Sequence, residues 1–80
     1  MQKHFVYLAR CNDNSLYTGY TVDLKAREDT HNSGQGARYT RSRLPIKIIY
    51  HEVYESKSEA MKREYEIKQL TKLDKENLIQ

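Results

Sequence analysis

Two short runs of alternating side chains, residues 5–10 and 16–20, constrain this chain more than any other feature. A period of two is typical of β-strands, in which successive side chains point to opposite faces. The Asn-Asp-Asn-Ser between them favours a turn, because these side chains hydrogen-bond their own backbone. The sequence therefore predicts a β-hairpin that brings Tyr7 and Tyr17 together on one face, with Gly19 baring the backbone beside them so that a bulky group can approach.

A helix is predicted directly after the hairpin, and it ends at Gly34. Thr21 and Asp23 are both suitable N-caps, and the sequence does not choose between them. Arg27 and His31 are four residues apart, so they lie on the same face of this helix. That face therefore carries a guanidinium and an imidazole, which is an arrangement typical of a functional site. The residues alone leave open a salt-bridged or snorkelling arginine and a histidine that the helix dipole stabilises near the C-terminus.

The second half of the chain predicts a loop, a strand and two helices. Residues 32–44 contain two glycines and no apolar period, which indicates a loop. The β-branched and aromatic residues at 46–54 predict the third and longest strand, which we place at the centre of the sheet. A capping box at Ser56 and Glu59 begins a long helix, and residues 71–80 predict a short final one. The predicted fold class is α+β, a three-stranded antiparallel sheet flanked by helices in the order β-β-α-β-α-α.

A carboxylate interrupts the apolar stripe of the long helix. At 100° per residue the stripe comprises Ala60, Met61, Ile67 and Leu70. Glu64 falls in the middle of it, and burying an unpaired carboxylate costs several kcal/mol. Glu64 therefore needs a cationic side chain, a metal ion or a raised pKa. A structural ion pair, with Arg27 as the partner, is the alternative to a metal site.

Length and composition indicate one small globular domain. A chain of 80 residues buries only about 60 to 65 % of the surface that its unfolded form exposes, so residues 1–80 form a single domain with a thin core. Cys11 is the only cysteine, which excludes an internal disulfide and fits a reducing compartment. No apolar run approaches the roughly 20 residues of a transmembrane helix. We therefore expect a cytoplasmic monomer that does not enter a membrane.

Positive charge is concentrated in one segment. The net charge is only +3, but no carboxylate occurs between Asp29 and Glu52. The basic residues of this interval are Arg38, Arg41, Arg43 and Lys47. They are interleaved with hydroxyl and aromatic side chains, a combination that suits contacts with a phosphate backbone. A solvated basic loop is the alternative that composition leaves open.

The hairpin also carries a recognisable motif. Phe-Val-Tyr at positions 5–7 and Tyr-Thr-Gly at positions 17–19 resemble the two halves of the GIY-YIG endonuclease signature. Arg27, His31 and the Glu-Tyr-Glu-Ile-Lys segment that begins at Glu64 continue this resemblance downstream. The likeness covers the whole chain. It points to the small, stand-alone, single-domain bacterial branch of the superfamily, which the chain resembles in Arg-Cys, His-Asn-Ser-Gly and Ala-Arg-Tyr-Thr-Arg.

The resemblance implies a set of active-site residues. The implied catalytic residues are Tyr7, Tyr17, Arg27 and His31. One of the two tyrosines would act as general base or orient the attacking water, the arginine would bind a nonbridging phosphate oxygen, and the histidine would share proton transfer. Glu64 would hold a single Mg²⁺ or Mn²⁺, with waters and phosphate oxygens in the remaining positions. Asn77 lies at a plausible distance after Glu64 for the asparagine that nucleases of the family carry near the site.

On this resemblance we expect a metal-dependent endonuclease that hydrolyses phosphodiester bonds in nucleic acid, DNA rather than RNA. It would select its substrate by structure rather than by sequence and act in DNA repair or processing. A catalytically weak nucleic-acid-binding module that keeps the same fold is a second hypothesis. A third is a protein-interaction domain, which would leave Arg27 and Glu64 as an internal salt bridge. A recruiting protein is a further expected partner for so small a domain.

Overall fold

The structure is a computed structural model that describes residues 2–80, and it confirms the predicted α+β fold. Its strands are β1 (His4–Arg10), β2 (Leu16–Thr21) and β3 (Lys47–Tyr54). Its helices are α1 (Leu24–Thr30), α2 (Arg38–Arg41), α3 (Lys57–Lys68) and α4 (Lys72–Ile79), and a π-helical turn, His31–Gln35, continues directly from α1. No helix within residues 2–80 has the length and the apolar character needed to cross a membrane.

The central strand is β1, which pairs antiparallel with β2 on one side and with β3 on the other. Residues 6–9 are all buried, because both faces of β1 are covered. The prediction that residues 46–54 form the central strand was therefore wrong. β3 is an edge strand whose side chains are half-buried or exposed. A β-branched and aromatic composition favours a strand, but it does not distinguish an edge from a centre.

The two faces of the sheet bury separate sets of side chains. On one face, Val6 and Leu8 pack against Ala60 and Ile67 of α3. The other face buries Tyr7, Ala9, Cys11 and Ile46. This second face carries α1 and the residues implied in catalysis, while α3 covers the first. The alternation of β1 thus places Tyr7 on the face that α1 covers, while Glu64 belongs to α3 and acts on Tyr7 by its charge.

Helix α3 begins at its capping box and buries a narrower stripe than predicted. Ser56 accepts a hydrogen bond from the backbone N–H of Glu59 at 3.2 Å. Ala60 and Ile67 are fully buried, but Met61 is 41 % exposed, so its predicted burial was wrong. Ala60 and Ile67 are seven residues apart and lie along one line of the helix. Met61, rotated 100° from Ala60, lies outside that line.

Side chains of α1 and the turn after it attach this part of the chain to β3. Asp23, one of the two predicted caps, is the N-cap of α1 and accepts a backbone hydrogen bond at 3.0 Å. Glu28 accepts a hydrogen bond from the backbone N–H of Ile48 at 2.7 Å. Asn32 donates to the carbonyl of Ile46 at 3.0 Å and accepts from its N–H at 2.7 Å. These bonds occupy backbone groups of the edge strand and fix α1 over the face that carries Tyr7.

The segment predicted as a loop, residues 32–44, is partly helical. The π-helical turn extends to Gln35, with Gly34 at a φ of 87°, and α2 follows it. The loop prediction failed because α2 is a single turn, too short to show an apolar period. One fully buried residue, Thr40, anchors it.

Candidate active site

Strand pairing places Tyr7 directly opposite Gly19. A Cβ atom on Gly19 would lie 2.4 Å from both Cζ and the hydroxyl oxygen of Tyr7, closer than van der Waals contact allows. Gly19 was expected to let a bulky group approach the backbone, and that group is the ring of Tyr7 itself. Because the ring fills this space, Tyr7 is only 1 % exposed.

A buried chain of hydrogen bonds runs from Tyr7 through His31 to Thr40. The hydroxyl oxygen of Tyr7 lies 2.8 Å from Nε2 of His31, and Nδ1 of His31 lies 2.8 Å from Oγ1 of Thr40. The Thr40 hydroxyl donates to the carbonyl of Ala37 at 2.9 Å, so its oxygen accepts from Nδ1–H of His31. Nε2 then carries a lone pair, and Tyr7 donates to it. We name this chain, Tyr7 to His31 to Thr40, the buried relay.

Burial and neighbouring charges set the ionisation of this relay. Burial and the positive charge of Arg27 lower the pKa of His31, which agrees with a neutral imidazole. Burial raises the pKa of Tyr7 to about 12. The guanidinium of Arg27 opposes this increase, whereas the charges of Tyr17 and Glu64 add to it. The other four implied site residues therefore lie close enough to act on Tyr7 by contact or by charge.

Tyr17 is the tyrosine that faces an open cleft. Its ring centroid lies 6.3 Å from that of Tyr7 and 5.4 Å from that of His31. Its ring also stacks on Tyr39 of α2, with the centroids 5.9 Å apart. Tyr17 is half-buried and lines the cleft, so its hydroxyl-bearing ring is accessible where Tyr7 is not. The predicted approach of Tyr7 and Tyr17 on one face is confirmed.

Arg27 places a guanidinium beside the buried relay. Its Nε atom is buried and has no hydrogen-bond partner within the described part of the chain. A buried donor without an acceptor costs free energy, about 1–3 kcal/mol in typical cases and more for charged groups. A phosphate oxygen is a suitable acceptor, because guanidinium groups bind phosphate with charge-assisted hydrogen bonds. Arg27 therefore has a donor that an anionic oxygen could accept from.

Glu64 is largely buried, and its ion-pair partner is not Arg27. The side chain of Glu64 is 12 % exposed and pairs with Lys68, one helical turn later, at 3.4 Å. Within residues 2–80 no ion pair shorter than 4.0 Å joins Glu64 to Arg27, so the proposed structural pair of these two residues was wrong. The side chain of Lys68 is 51 % exposed, and an (i, i+4) pair of this kind contributes only about 0.3–0.5 kcal/mol. Lys68 therefore leaves Glu64 able to bind another cation.

The donor set around Glu64 suits a metal ion that the substrate helps to hold. Among residues 2–80, no cluster of three or more His, Cys, Asp and Glu could hold a metal ion by itself. Mg²⁺ commonly binds through one or two carboxylates and takes its remaining ligands from water and substrate phosphates. The single carboxylate of Glu64 fits this pattern, whereas a zinc cage needs several protein ligands.

The arginines of the basic segment differ in their surroundings. Arg38 and Arg41 are exposed on α2. Arg43 is engaged in the fold, since its guanidinium donates to Asp13 at 2.9 Å and to the carbonyl of Tyr39 at 2.7 Å. The same guanidinium covers the ring of Tyr39, 3.9 Å from its centroid. Arg43 therefore ties α2 to the hairpin turn, and only Arg38 and Arg41 are uncommitted arginines in this segment.

Lys47 lies on the other side of the sheet from α2. It is paired with Arg10 of β1, and directly opposed residues project to the same face. Arg10 reaches Glu76 of α4 with two hydrogen bonds, which identifies that face as the one α4 covers. The sheet therefore separates Lys47 from Arg38 and Arg41, and the four predicted basic residues do not form one continuous surface.

Sequence reasoning missed several residues that support the site. A Cβ on Gly36 would lie 2.3 Å from Nδ1 of His31, so this glycine provides the space for the imidazole. Thr40 fixes the tautomer of His31, and Tyr39 stacks on Tyr17. The available signal is the Ala-Arg-Tyr-Thr-Arg segment, whose resemblance to the family and whose basic residues do not indicate contacts of Tyr39 and Thr40 with the site. Asn77 lies on α4 with an exposed side chain.

Known proteins resemble this chain along nearly its whole length. A family model described as the GIY-YIG catalytic domain matches residues 3–77. A UPF0213 protein of Staphylococcus haemolyticus is 54 % identical over 80 residues, which cover 100 % of this chain and 98 % of that protein. A UPF0213 protein of Staphylococcus aureus is 57 % identical over 79 residues, which cover 99 % of this chain and 96 % of that protein.

Two solved structures share the fold. The solution NMR structure of a UPF0213 protein from Bacillus halodurans is 47 % identical, with a TM-score of 0.61 over 96 % of this chain and 82 % of that one. The solution NMR structure of a protein from E. faecalis is 42 % identical, with a TM-score of 0.65 and the same coverage of 96 % and 82 %. The chain therefore belongs to the GIY-YIG nuclease domain family and, within it, to the small bacterial UPF0213 proteins.

Proposed function

We propose that this protein is a metal-dependent endonuclease that hydrolyses phosphodiester bonds in DNA during repair or processing. Its family is one of nucleases, which generally use a divalent metal ion. The observation that carries the proposal is that five side chains suited to phosphodiester hydrolysis lie close together. They are Tyr7, Tyr17, Arg27, His31 and Glu64.

The buried relay offers a route for the proton of the attacking water. Because Tyr7 donates its own proton to Nε2 of His31, its oxygen keeps lone pairs that can accept another. When a proton released by the attacking water reaches this oxygen, Tyr7 would pass its own proton to His31, so the phenol is neutral before and after the transfer. A pKa of about 12 for Tyr7 therefore does not prevent this proton transfer, because the phenol is never ionised. Tyr17, at the cleft, orients the water.

Arg27 links substrate binding to the basicity of His31. Its guanidinium would bind a nonbridging phosphate oxygen and stabilise the negative charge that develops there. In the free protein the charge of Arg27 contributes, after burial, to the lowered pKa of His31. A phosphate bound to Arg27 compensates that charge, so His31 becomes a better proton acceptor when substrate is present.

Glu64 would hold the single Mg²⁺ or Mn²⁺ of the family mechanism. Such an ion, when bound, supplies positive charge for the developing phosphorane and the leaving oxygen. In the free protein Lys68 balances the charge of Glu64, and its exposed ammonium can move away from the carboxylate without being buried elsewhere.

Shape, rather than base sequence, would select the DNA. Arg38 and Arg41 are exposed on α2, next to the site, because the intervening Tyr39 stacks on Tyr17. Arginine contacts with phosphates fix the position and orientation of a nucleic acid but carry no direct sequence information. We therefore propose a structure-directed nuclease whose docking surface begins at α2.

A cleavage assay with Glu64→Gln tests the proposal. The substrates are single-stranded, nicked, branched and duplex DNA with matched RNA, each with Mg²⁺, Mn²⁺ or chelator. We expect metal-dependent cleavage of DNA by the wild type and none by Glu64→Gln. The free energy of unfolding should change by less than about 1 kcal/mol, because the lost partner of Glu64 is a single half-exposed lysine.

Glu66→Gln is the matched control, since it removes a carboxylate from the same helix whose side chain is 56 % exposed and pairs with Arg63. It should cleave like the wild type. Cleavage by Glu64→Gln at the wild-type rate would contradict the metal-ligand role. Tight DNA binding by a folded wild type that cleaves no substrate would support the binding-module hypothesis instead.

A further inference from the structure

The cleft that Tyr17 faces extends to α3 and α4, and the mechanism above gives no substrate-binding role to the two lysines that line it there. It has a volume of about 320 Å³ and runs along the edge strand β2. Its lining residues are Leu16, Tyr17, Thr18, Tyr39, Lys68 and Lys75. The two lysines come from different helices, and no lining residue is acidic. The cleft is therefore suited to an anion.

Lys75 is held in this cleft without a carboxylate. Within residues 2–80 no ion pair shorter than 4.0 Å involves Lys75, although its helix is fixed to the sheet by the pairing of Arg10 with Glu76. Burial and the charge of Lys68 lower the pKa of Lys75. Two ammonium groups are thus held close together. Their repulsion decreases when an anion binds to both.

Thr18 supplies a second, independent sign of an anion ligand. It is 3 % exposed, and its Oγ1 atom has no hydrogen-bond partner in the described part of the chain. Thr18 opposes Leu8 across the hairpin, so its side chain lies on the α3 side of the sheet, toward the two lysines. A hydroxyl group can donate to a phosphate oxygen, and hydroxyl contacts with phosphates are common in nucleic-acid complexes.

We propose that Lys68, Lys75 and Thr18 form a phosphate clamp, which holds the phosphodiester backbone of DNA beside the scissile phosphate. The clamp rests on the proposed function and adds binding residues that lie outside the basic segment 38–47. Lys68 is one helical turn from Glu64, so the clamped phosphate lies next to the proposed metal ligand.

The salt dependence of DNA binding tests the clamp. The variant carries Lys68→Gln together with Lys75→Gln. The control carries Lys57→Gln together with Lys62→Gln, which removes the same two charges from α3 outside the cleft. Affinity for a fluorescein-labelled single strand is measured by anisotropy in chelator, from about 50 to 200 mM salt. Each phosphate contact with a single strand contributes about 0.7 to the slope of log K against log salt. The double variant should therefore lose about 1.4 from the slope, and the control should lose nothing.

A wild-type slope in a folded double variant would overturn the clamp, whether or not the protein cleaves DNA. A second measurement separates this failure from failure of the nuclease proposal. Thymidine 3′,5′-bisphosphate is titrated in chelator, and the amide signals of Thr18, Lys68 and Lys75 should shift in NMR spectra. Shifts at these amides without nuclease activity would support the clamp and reject the proposed function. Cleavage of DNA without shifts at these amides would reject the clamp and support the proposed function.

Discussion

Replacing Tyr7 with phenylalanine tests the energetic role of the buried relay. Tyr7→Phe removes one oxygen atom and keeps the ring that lies over Gly19. His31 is 0 % exposed, so its Nε2 atom loses the donor 2.8 Å away and has no access to bulk water. The variant therefore leaves a buried acceptor without a hydrogen bond, while the packing of the ring is preserved.

The expected cost follows from that loss. A buried acceptor left without its donor costs about 1–3 kcal/mol, compared with a total stability of about 4–12 kcal/mol for a domain of this size. A small domain loses roughly 4–8 °C of Tm for each kcal/mol. Urea unfolding should show a lower midpoint with an unchanged m value, because the surface exposed on unfolding is nearly the same.

Tyr20→Phe is the matched control. Tyr20 and His4 form the same kind of pair, with the hydroxyl oxygen 2.7 Å from Nδ1, but at a partly buried position. Water can replace the lost hydroxyl there, so we expect a cost below about 1 kcal/mol. Equal losses of stability in Tyr7→Phe and Tyr20→Phe would refute the reasoning, because burial would then not determine the cost.

Three other perturbations have defined outcomes. Gly19→Ala should cost about 1–3 kcal/mol in urea unfolding, because its Cβ would lie 2.4 Å from Tyr7; unchanged stability would contradict that contact. His31 should show the Nδ1-protonated tautomer in nitrogen NMR spectra and stay neutral somewhat below its ordinary pKa of about 6.5, whereas a proton on Nε2 alone would contradict the relay. At Glu52, burial raises the pKa, but hydrogen bonds from Arg63 and two tyrosines outweigh it and lower the pKa to about 2. The folded-state pKa lies below the unfolded value, so this stabilisation is present above about pH 4.5 and is lost toward pH 2. The free energy of unfolding of Glu52→Gln should therefore depend less on pH in this range than that of the wild type.

Local patterns in the sequence were sufficient to predict a structural feature when neighbouring residues determine that feature. Side-chain alternation predicted the hairpin, and the capping box at Ser56 predicted the start of α3, because both signals depend on neighbours within a few residues. The order of strands in the sheet depends instead on which strand is covered on both faces. The continuous apolar run of β1, all buried from residues 6 to 9, was the better indicator, whereas composition favoured β3.

In the candidate site, too, some residues were predictable from the sequence and others depend on tertiary structure. Spacing and resemblance together predicted Tyr7, Arg27 and Glu64 as site residues, and each of them lies on a regular element. Thr40 and Gly36 were not identifiable in this way. Their contribution exists only after the π-helical turn brings residues 36–40 around the imidazole of His31, and a segment of one short turn leaves no periodic pattern to interpret.

The two tyrosines of the signature are chemically identical, but the sheet gives them different surroundings. Tyr7 lies on the central strand, opposite a glycine, where burial raises its pKa to about 12 and its proton is committed to His31. Tyr17 lies on the edge strand β2, where only part of its ring is covered and the remainder faces the cleft. A group that meets the attacking water must be accessible, and a group that passes a proton inward must be held without water. Strand position therefore favours Tyr17 for orienting the water and Tyr7 for the relay, a distinction that the motif alone leaves open.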